Sequence, residues 1–274
     1  MEVEYIDIEW QHRSLRIEYQ WLGKDDRPLI VFLHEGLGSL AMWKDFPATL
    51  CEALGYRGLV FSRPGYGAST PRSRDEDWGV DFMHLQACEL LPALFEALRV
   101  DTLNNPPWLF GHSDGASIAL IYAAHRATRL AGLVVVSPHI LVEDLSISSI
   151  EKTRRAYLES NLKDRLAPYH EDVDSAFWGW NNDWLSPLFR DWTIAQELRA
   201  IACPLLALQG IDDEYGTLEQ VCGIRREVGH CEVAVLGDCG HTAHRDQPGE
   251  VIRLTSDFMH RQRQQAVARQ QVHA

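Results

Sequence analysis

The sequence has little of what marks several functional classes. Its 26 Lys and Arg are outnumbered by 39 Asp and Glu, which gives a net charge of -13. This balance argues against nucleic acid or an anionic membrane as a partner. No apolar run is long enough to span a bilayer, and residues 1–5 do not have the pattern of a signal peptide. No Gly-x-Gly-x-x-Gly or Walker loop follows a strand, which argues against a nucleotide site.

The spacing of the six cysteines does not indicate a metal or disulfide site. No two of the six cysteines have Cys-x-x-Cys spacing, and most lie in apolar runs. We therefore expect buried, reduced thiols in a cytoplasmic protein that needs neither a metal nor a cofactor. A chain of 274 residues with 46% hydrophobic content can bury a large core without such support. The oligomeric state stays open, and a homodimer is one of the options.

What the sequence does contain is an alternation of short apolar runs with helical segments. Residues 3–10 and 15–21 alternate polar and apolar positions, which predicts an antiparallel hairpin. Continuous apolar runs predict buried strands that begin near residues 29, 58, 108, 130, 204 and 232. Helical patterns lie between most of these runs. We expect a doubly wound, mostly parallel eight-stranded α/β sheet whose antiparallel strands extend one edge.

The stretch 139–199 differs from the rest because it is polar, helical and rich in aromatic residues. We expect it to be a helical cap inserted after the sixth strand, above the carboxyl ends of the strands, where open α/β sheets bind ligands. Residues 1–138 and 200–260 would then form the two parts of the core. Residues 261–274 would form a polar tail that frays.

The most informative motif is Gly111-His112-Ser113-Asp114-Gly115, which lies between an apolar strand and a helix of small residues. A serine on such a tight strand-to-helix turn has a strained backbone, and side chains at the two glycine positions would collide with neighbouring chain. The turn exposes the serine hydroxyl and directs the helix N-terminus toward the place where an oxyanion would form. Ser113 is therefore the candidate nucleophile.

A serine nucleophile needs a histidine base and an acid that orients the base. The expected order along the chain is Ser, then Asp or Glu, then His. Asp212 and Asp213 follow the apolar run at 204–208, and His241 lies in the loop after the next run. This placement predicts a triad of Ser113 and His241 with one of the two aspartates.

These motifs together resemble the α/β-hydrolase superfamily, and the resemblance covers nearly the whole chain. Residues 33–38 look like the family's His-Gly-x-Gly oxyanion loop, and residues 62–69 look like its Arg-Gly-x-Gly-x-Ser turn. The resemblance assigns the acid to Asp213 and the base to His241 rather than His244. Glu143 and Asp144 are outside candidates for the acid. Backbone N–H groups of Gly36 and Asp114 would form the oxyanion hole.

The resemblance also suggests substrate contacts. The Ser113-Asp114-Gly115 elbow and the separate stretch Leu37-Gly38-Ser39 are similar to those of valacyclovir hydrolases, which cleave amino-acid esters. Asp114 would therefore either bind a cationic group or cap its helix. Glu35 stands where the family usually has Gly, and we expect it to face a polar cavity or to pair with an Arg. The tryptophans of the cap that would wall the pocket are Trp178, Trp180 and Trp184.

The leading hypothesis is a serine hydrolase that cleaves small carboxylic esters through an acyl-enzyme, with a small-molecule ester as its substrate. A thioesterase, a lactonase or a carbon–carbon bond hydrolase would use the same residues and stays open. A hypothesis of another class is a non-catalytic hydrolase-fold protein whose pocket only binds a ligand.

Overall fold

The computed structural model describes residues 2–73, 76, 78–126 and 129–272, with side chains as far as residue 268. Eight strands form one sheet in the order β1-β2-β4-β3-β5-β6-β7-β8. The strands are β1 (Glu4–Trp10), β2 (Arg13–Leu22), β3 (Leu29–Leu33), β4 (Arg57–Phe61), β5 (Trp108–His112), β6 (Gly132–Val136), β7 (Leu205–Gly210) and β8 (Glu232–Leu236).

The pairing of the strands confirms the predicted α/β architecture. β2 runs antiparallel to both β1 and β4, whereas every other neighbouring pair is parallel. The hairpin at one edge and the six apolar strands therefore lie as the sequence pattern indicates. Parallel strands place their carboxyl ends along one edge of the sheet, which is where the candidate residues follow β3, β5, β7 and β8.

The inner strands are continuous apolar runs because both faces of the sheet are covered. Along β3, Leu29, Val31 and Leu33 belong to one hydrophobic cluster, and Ile30 and Phe32 belong to the other. A strand that alternates between two cores cannot carry polar residues on either face. Helices lie on both sides of the sheet, which is what the doubly wound arrangement requires.

The helices α1 to α4 belong to the first part of the core, and α8 to α10 belong to the second. The bounds are α1 (Phe46–Leu54), α2 (Phe82–Leu85), α3 (Leu91–Ala97), α4 (Asp114–His125), α8 (Glu219–Glu227), α9 (Ala243–Asp246) and α10 (Pro248–Val272). A π-helical turn, Gln86–Leu90, joins α2 to α3, so the helical stretch from Phe82 to Ala97 is continuous but not regular. α1 and α10 contribute to the core on one face, and α2, α3, α4 and α8 to the core on the other.

The chain between β6 and β7 is helical, as expected for the inserted segment. It contains α5 (Asp144–Glu159), α6 (Leu162–Leu166), α7 (Val173–Trp184) and three short 3-10 turns, Ala167–Tyr169, Pro187–Phe189 and Glu197–Ala200. Its hydrophobic side chains join the larger core cluster. The domain division at residues 139 and 199 stays a prediction.

Two expectations are corrected by the structure. The tail predicted from residue 261 continues α10 as far as Val272, and residues 273 and 274 lie outside the described residues. Cys222 is exposed and Cys88 is half-buried, so the expectation of buried thiols holds only for the other four cysteines. Among the described residues, no helix has both the length and the hydropathy to cross a membrane.

Candidate active site

Ser113 lies on the sharp turn between β5 and α4. Its backbone has φ 52° and ψ -120°, a conformation that non-glycine residues rarely adopt. A Cβ on Gly115 would overlap the carbonyl oxygen of Leu33, and a Cβ on Gly111 would lie 2.6 Å from Cα of Ala116. The turn therefore requires glycine at both positions, for the steric reason expected from the sequence.

Asp213 and His241 form a close pair beside this turn. Nδ1 of His241 lies 2.8 Å from Oδ1 of Asp213. The same oxygen accepts the backbone N–H groups of Tyr215 and Gly216, at 2.9 and 3.2 Å. The other oxygen accepts Nε2 of Gln209 at 3.2 Å. Four donors therefore favour the ionised form of Asp213.

The pKa values of the pair follow from these contacts. Burial alone would raise the pKa of Asp213, but the hydrogen bond and charge of His241 lower it to about 2. Burial alone would lower the pKa of His241, yet the Asp213 carboxylate outweighs burial and raises it. Because Nδ1 donates to Asp213, the neutral ring has its lone pair on Nε2, where a base needs it.

The backbone of His241 is fixed as well. Its carbonyl oxygen accepts a hydrogen bond from Oγ of Ser137 at 2.8 Å and lies 2.9 Å from Nε2 of His112. Its N–H donates to the carboxylate of Glu214 at 3.1 Å. Hydrogen bonds therefore fix both the imidazole ring and the backbone of His241, and a catalytic base needs such a fixed position.

The loop after β3 is oriented by two buried side chains. Nε2 of His34 accepts the N–H of Arg63, so Nδ1 donates to the carbonyl oxygen of Glu35 at 2.7 Å. Nη2 of Arg63 donates to the same oxygen at 2.8 Å. The carbonyl and N–H of a trans peptide point in opposite directions. Fixing the Glu35 carbonyl therefore turns the N–H of Gly36 to the other side of the loop.

Most of the predicted site residues line one cavity of about 140 Å³. Neither Gly36 nor Asp114 donates its backbone N–H to an acceptor within the described part of the chain. The residues that line the cavity are Glu35, Gly36, Leu37, His112, Ser113, Asp114, His139, Ile150, Trp180, Trp184, Tyr215, His241 and Thr242.

Trp178 was wrongly predicted to line this pocket. It packs against Tyr157 and Phe177 and lies beneath the guanidinium of Arg154, on another side of α7. Trp180 and Trp184 are on the cavity side of that helix. Residues two positions apart on a helix face different directions, so one aromatic run cannot place all three rings on one wall.

The other candidates for the acid lie away from His241. Glu143 accepts hydrogen bonds from Thr217 and Gln220, and the exposed Asp144 pairs with Arg190. Asp212 is exposed, whereas Asp213 is buried. His244 is buried against Trp43, which agrees with a packing role.

Glu35 does not pair with an arginine through its side chain. Its Oε2 lies 3.4 Å from Nδ1 of His112, and Arg63 contacts only its carbonyl oxygen. Burial alone would raise the pKa of Glu35, but the hydrogen bond with His112 and the nearby imidazoles hold it well below its usual range. The Glu35 carboxylate therefore favours its ionised form beside the imidazole of His112, near the loop after β3.

Asp114 brings a second carboxylate to the cavity. Its Oδ1 accepts Nε1–H of Trp184 at 3.1 Å, while its buried Oδ2 has no hydrogen-bond partner among the described residues. Burial raises the pKa of Asp114 to about 6. This carboxyl group therefore changes charge near neutral pH, unlike Asp213.

The sequence analysis missed five lining residues, which are His112, His139, Ile150, Tyr215 and Thr242. His139 follows β6 and is wholly buried, and its Nδ1 has no partner within the described ranges. Burial lowers its pKa to about 3, so the ring is neutral. Tyr215 lies 4.8 Å from the ring of His241. The position of His139, three residues after the end of β6, was the available signal.

The comparisons with known proteins agree with this geometry. Residues 30–254 match the Alpha/beta hydrolase family. The chain belongs to that family. Its hydrolase relatives and esterase structural neighbours make it an enzyme, a hydrolase, rather than a non-catalytic binding protein.

Several curated proteins are similar to this alpha/beta hydrolase over most of its length. A 2-succinyl-6-hydroxy-2,4-cyclohexadiene-1-carboxylate synthase from Enterobacter sp. (strain 638) is 25% identical, over 86% of this chain and 93% of its own. A 2-hydroxy-6-oxo-2,4-heptadienoate hydrolase from Pseudomonas putida is 25% identical, over 84% and 88%. A monoacylglycerol lipase from Homo sapiens is 20% identical, over 94% and 82%.

Solved structures share the fold. A carboxylesterase of Nitrososphaera gargenis superposes with a TM-score of 0.75 at 17% identity, covering 95% of this chain and all of that one (100%). A thermophilic esterase from Thermogutta terrifontis gives a TM-score of 0.71 at 18% identity, covering 94% and 99%.

The buried Asp114 predicts a pH-dependent effect of Asp114→Asn on stability. The folded pKa of about 6 lies above the unfolded value of about 3.9, so this group's contribution to stability falls as pH rises through that interval. Relative to the variant, the wild type should lose about 1.4 kcal/mol of unfolding free energy between pH 5 and pH 8. Urea denaturation at both pH values measures it.

The exposed Asp212→Asn serves as the control for this experiment and should show no such pH-dependent difference. An equal effect of Asp114→Asn at both pH values would mean that Asp114 does not take up a proton on folding.

Proposed function

We propose that this enzyme cleaves small carboxylic esters that carry no negative charge, through an acyl-enzyme on Ser113. The observation that carries the proposal is the buried Asp213–His241 pair, whose imidazole lines the same cavity as Ser113 on its strained turn. Two backbone N–H groups without protein acceptors, those of Gly36 and Asp114 within the described residues, complete the set of groups that acyl transfer needs.

In the acylation step, Nε2 of His241 takes the proton of the Ser113 hydroxyl while Oγ attacks the ester carbonyl carbon. The negative charge that forms on the carbonyl oxygen is held by the N–H groups of Gly36 and Asp114, each worth about 3 kcal/mol of barrier. The imidazolium then gives its proton to the departing alcohol oxygen as the tetrahedral intermediate collapses. Asp213 stabilises the imidazolium without taking its proton.

The deacylation step repeats these roles with water. His241 takes one proton of the water as its oxygen attacks the acyl carbon, and then returns that proton to Oγ of Ser113. The products are a carboxylic acid and the free serine, so no cofactor or metal enters this balance. Ionised Asp213 keeps the ring oriented through both steps.

The cavity supports a small substrate. A volume of about 140 Å³ is below the roughly 300 Å³ at which sites for drug-sized ligands begin. Trp180 and Ile150 provide apolar wall, and the indole of Trp180 packs directly over Gly36. These dimensions fit a short acyl chain.

The charge of the cavity supports a substrate that is not anionic. The described lining residues include the carboxyl groups of Glu35 and Asp114 and include neither Lys nor Arg. A substrate carboxylate about 8 Å from either group would be repelled by about 2 kcal/mol at an effective dielectric constant of about 20. A cationic aminoacyl ester would be attracted by the same charges.

Carbon–carbon bond hydrolysis is the second candidate. It is favoured by the relative named 2-hydroxy-6-oxo-2,4-heptadienoate hydrolase, because that name specifies a keto-acid without an ester bond. Such a substrate carries a carboxylate, however, and the described cavity lining offers no Lys or Arg to receive it. The ester hypothesis therefore has the better electrostatic support.

The proposed nucleophile can be tested with a fluorophosphonate probe and peptide mapping. We expect one adduct per chain on the Ser113 peptide, because only a serine activated by a base attacks the probe at a useful rate. Ser113→Ala should remove the adduct and lower kcat for a phenyl ester by about 10⁴-fold or more. Ser148→Ala, which removes a hydroxyl outside the cavity, is the control. Labelling elsewhere, or activity retained by Ser113→Ala, would overturn the assignment.

The assignment of the acid can be tested through the pH dependence of kcat/KM. Wild-type activity should fall with decreasing pH through the raised pKa of His241, above 6.5, because the protonated ring cannot act as a base. Asp213→Asn should lower that apparent pKa and reduce kcat by about 10⁴-fold. Asp212→Asn should match wild type. A large loss of kcat in Asp212→Asn, together with wild-type activity in Asp213→Asn, would assign the acid to Asp212.

The proposed selectivity can be tested with phenyl esters that share one leaving group. We expect kcat/KM to be higher for a butyryl ester than for an octanoyl ester, because the cavity is small. The kcat/KM of the butyryl ester should also exceed that of a glutaryl monoester by about tenfold or more, because the carboxyl groups of Glu35 and Asp114 repel a negative charge. In Asp114→Asn, the ratio of kcat/KM between the butyryl and glutaryl esters should fall, and the ratio between the butyryl and octanoyl esters should stay the same. A preference for the glutaryl ester would favour the keto-acid hypothesis.

A further inference from the structure

Three potential metal ligands meet on the face of the molecule formed by α2, α4 and the turn Glu197–Ala200. Oε1 of Glu197 lies 3.0 Å from Nε2 of His84, and Oε2 lies 3.0 Å from Nε2 of His125. One potential ligand atom from each of the three residues lies within 4.8 Å of the others. His84 is in α2, and His125 is the last residue of α4.

We propose that this cluster, His84, His125 and Glu197, is a binding site for a divalent transition metal, with Zn²⁺ as the preferred ion. Imidazole nitrogen and carboxylate oxygen are the common zinc ligands in proteins, at about 2.0–2.2 Å. In a tetrahedral site with such bonds, neighbouring ligand atoms are about 3.4 Å apart. The nitrogen–oxygen spacings here differ from that value by a few tenths of an ångström.

The convergence of both rings on one carboxylate supports the proposal. Each ring presents its Nε2 atom to Glu197. Oε2 of Glu197 lies 3.2 Å from Nε2 of His84 and 3.0 Å from Nε2 of His125, so a single oxygen is near both nitrogens. The exposed fractions of the three side chains are 26%, 47% and 33%, so an ion can reach them from solvent. Three protein ligands leave a fourth tetrahedral position for water.

The position of the cluster points to a structural role for the ion. His125 terminates the helix that begins beside Ser113, so the cluster lies at the opposite end of α4 from the catalytic cavity. Glu197 belongs to the last 3-10 turn before the chain returns to β7. An ion would therefore fasten the end of the inserted segment to two helices of the core.

The surroundings of His84 set the expected affinity. Its Nδ1 atom is buried and has no hydrogen-bond partner among the described residues. Metal-bound histidines usually donate their second nitrogen to a carboxylate or carbonyl group, and losing that bond costs about 10–100-fold in affinity. We therefore expect binding at about micromolar Zn²⁺ rather than the much tighter binding of fully supported zinc sites.

In the experiment, the full, untagged chain is treated with a chelator and then titrated with Zn²⁺. Calorimetry measures the binding, and the midpoint of thermal unfolding is measured at each Zn²⁺ concentration. We expect one ion per chain and a midpoint that rises with Zn²⁺, because binding to the folded state stabilises it. His125→Ala, His84→Ala and Glu197→Gln should each weaken binding by about 100-fold. His260→Ala and Cys222→Ser, which remove exposed ligands elsewhere, should bind as wild type does.

Co²⁺ provides a second measurement that does not depend on stability. The Co²⁺-loaded wild type should show the visible absorption of a low-symmetry site, and His125→Ala should lack it while unfolding at the same temperature as the metal-free wild type. Unchanged binding in all three ligand variants, or no saturable binding at up to about millimolar Zn²⁺, would overturn the proposal and leave a hydrogen-bonded His–Glu–His cluster. Loss of binding in Cys222→Ser alone would overturn it as well.

Discussion

The contact between Gly115 and the carbonyl oxygen of Leu33 is the constraint on which the candidate site depends. β3 and β5 are parallel neighbours, and their register places Leu33 beside Gly111. With no side chain at Gly115, the start of α4 can approach the end of β3 closely. That approach brings the turn at Ser113 next to the loop at Gly36. A side chain at Gly115 would separate the nucleophile from one of the two proposed oxyanion donors.

Charge at the site is controlled by how two buried carboxyl groups are hydrogen-bonded. Asp213 receives four donors and has its pKa held at about 2, so it stays ionised beside His241. Among the described residues Asp114 accepts only the indole N–H of Trp184, and burial raises its pKa to about 6. The two carboxyl groups are chemically alike, but their different surroundings suit them to different roles. Asp213 is suited to supporting the His241 base, and Asp114 is suited to selecting a substrate.

The sequence predicts the fold well because each element has a local signal. The continuous apolar runs mark strands buried on both faces, and the alternating runs mark the edge hairpin. Glycine spacing predicts the elbow at Ser113 because the steric reason is local to the turn. The choice between Asp212 and Asp213 rested on family resemblance, and the structure explains it by burial. Only Asp213 faces inward, where it can meet His241.

Contacts that depend on tertiary packing could not be predicted in the same way. Trp178 and Trp180 belong to one aromatic run, and only the orientation of α7 decides which ring faces the cavity. Glu35 was expected to face a polar cavity or to pair with an arginine; it lines the cavity, and its side-chain partner is His112 at the end of β5. His84, His125 and Glu197 are far apart in the chain, so no short spacing pattern could indicate a metal, and the sequence analysis expected none.

If the reaction passes through an ester of Ser113, that ester can be trapped and weighed. A slowly hydrolysed short-chain ester would be mixed with the enzyme, quenched in acid at increasing times and analysed by intact and peptide mass. The account predicts a mass increase of one acyl group, located on the Ser113 peptide, which disappears as substrate is exhausted and is absent in Ser113→Ala. Steady turnover without any acylated protein, or acylation of another residue, would contradict the account.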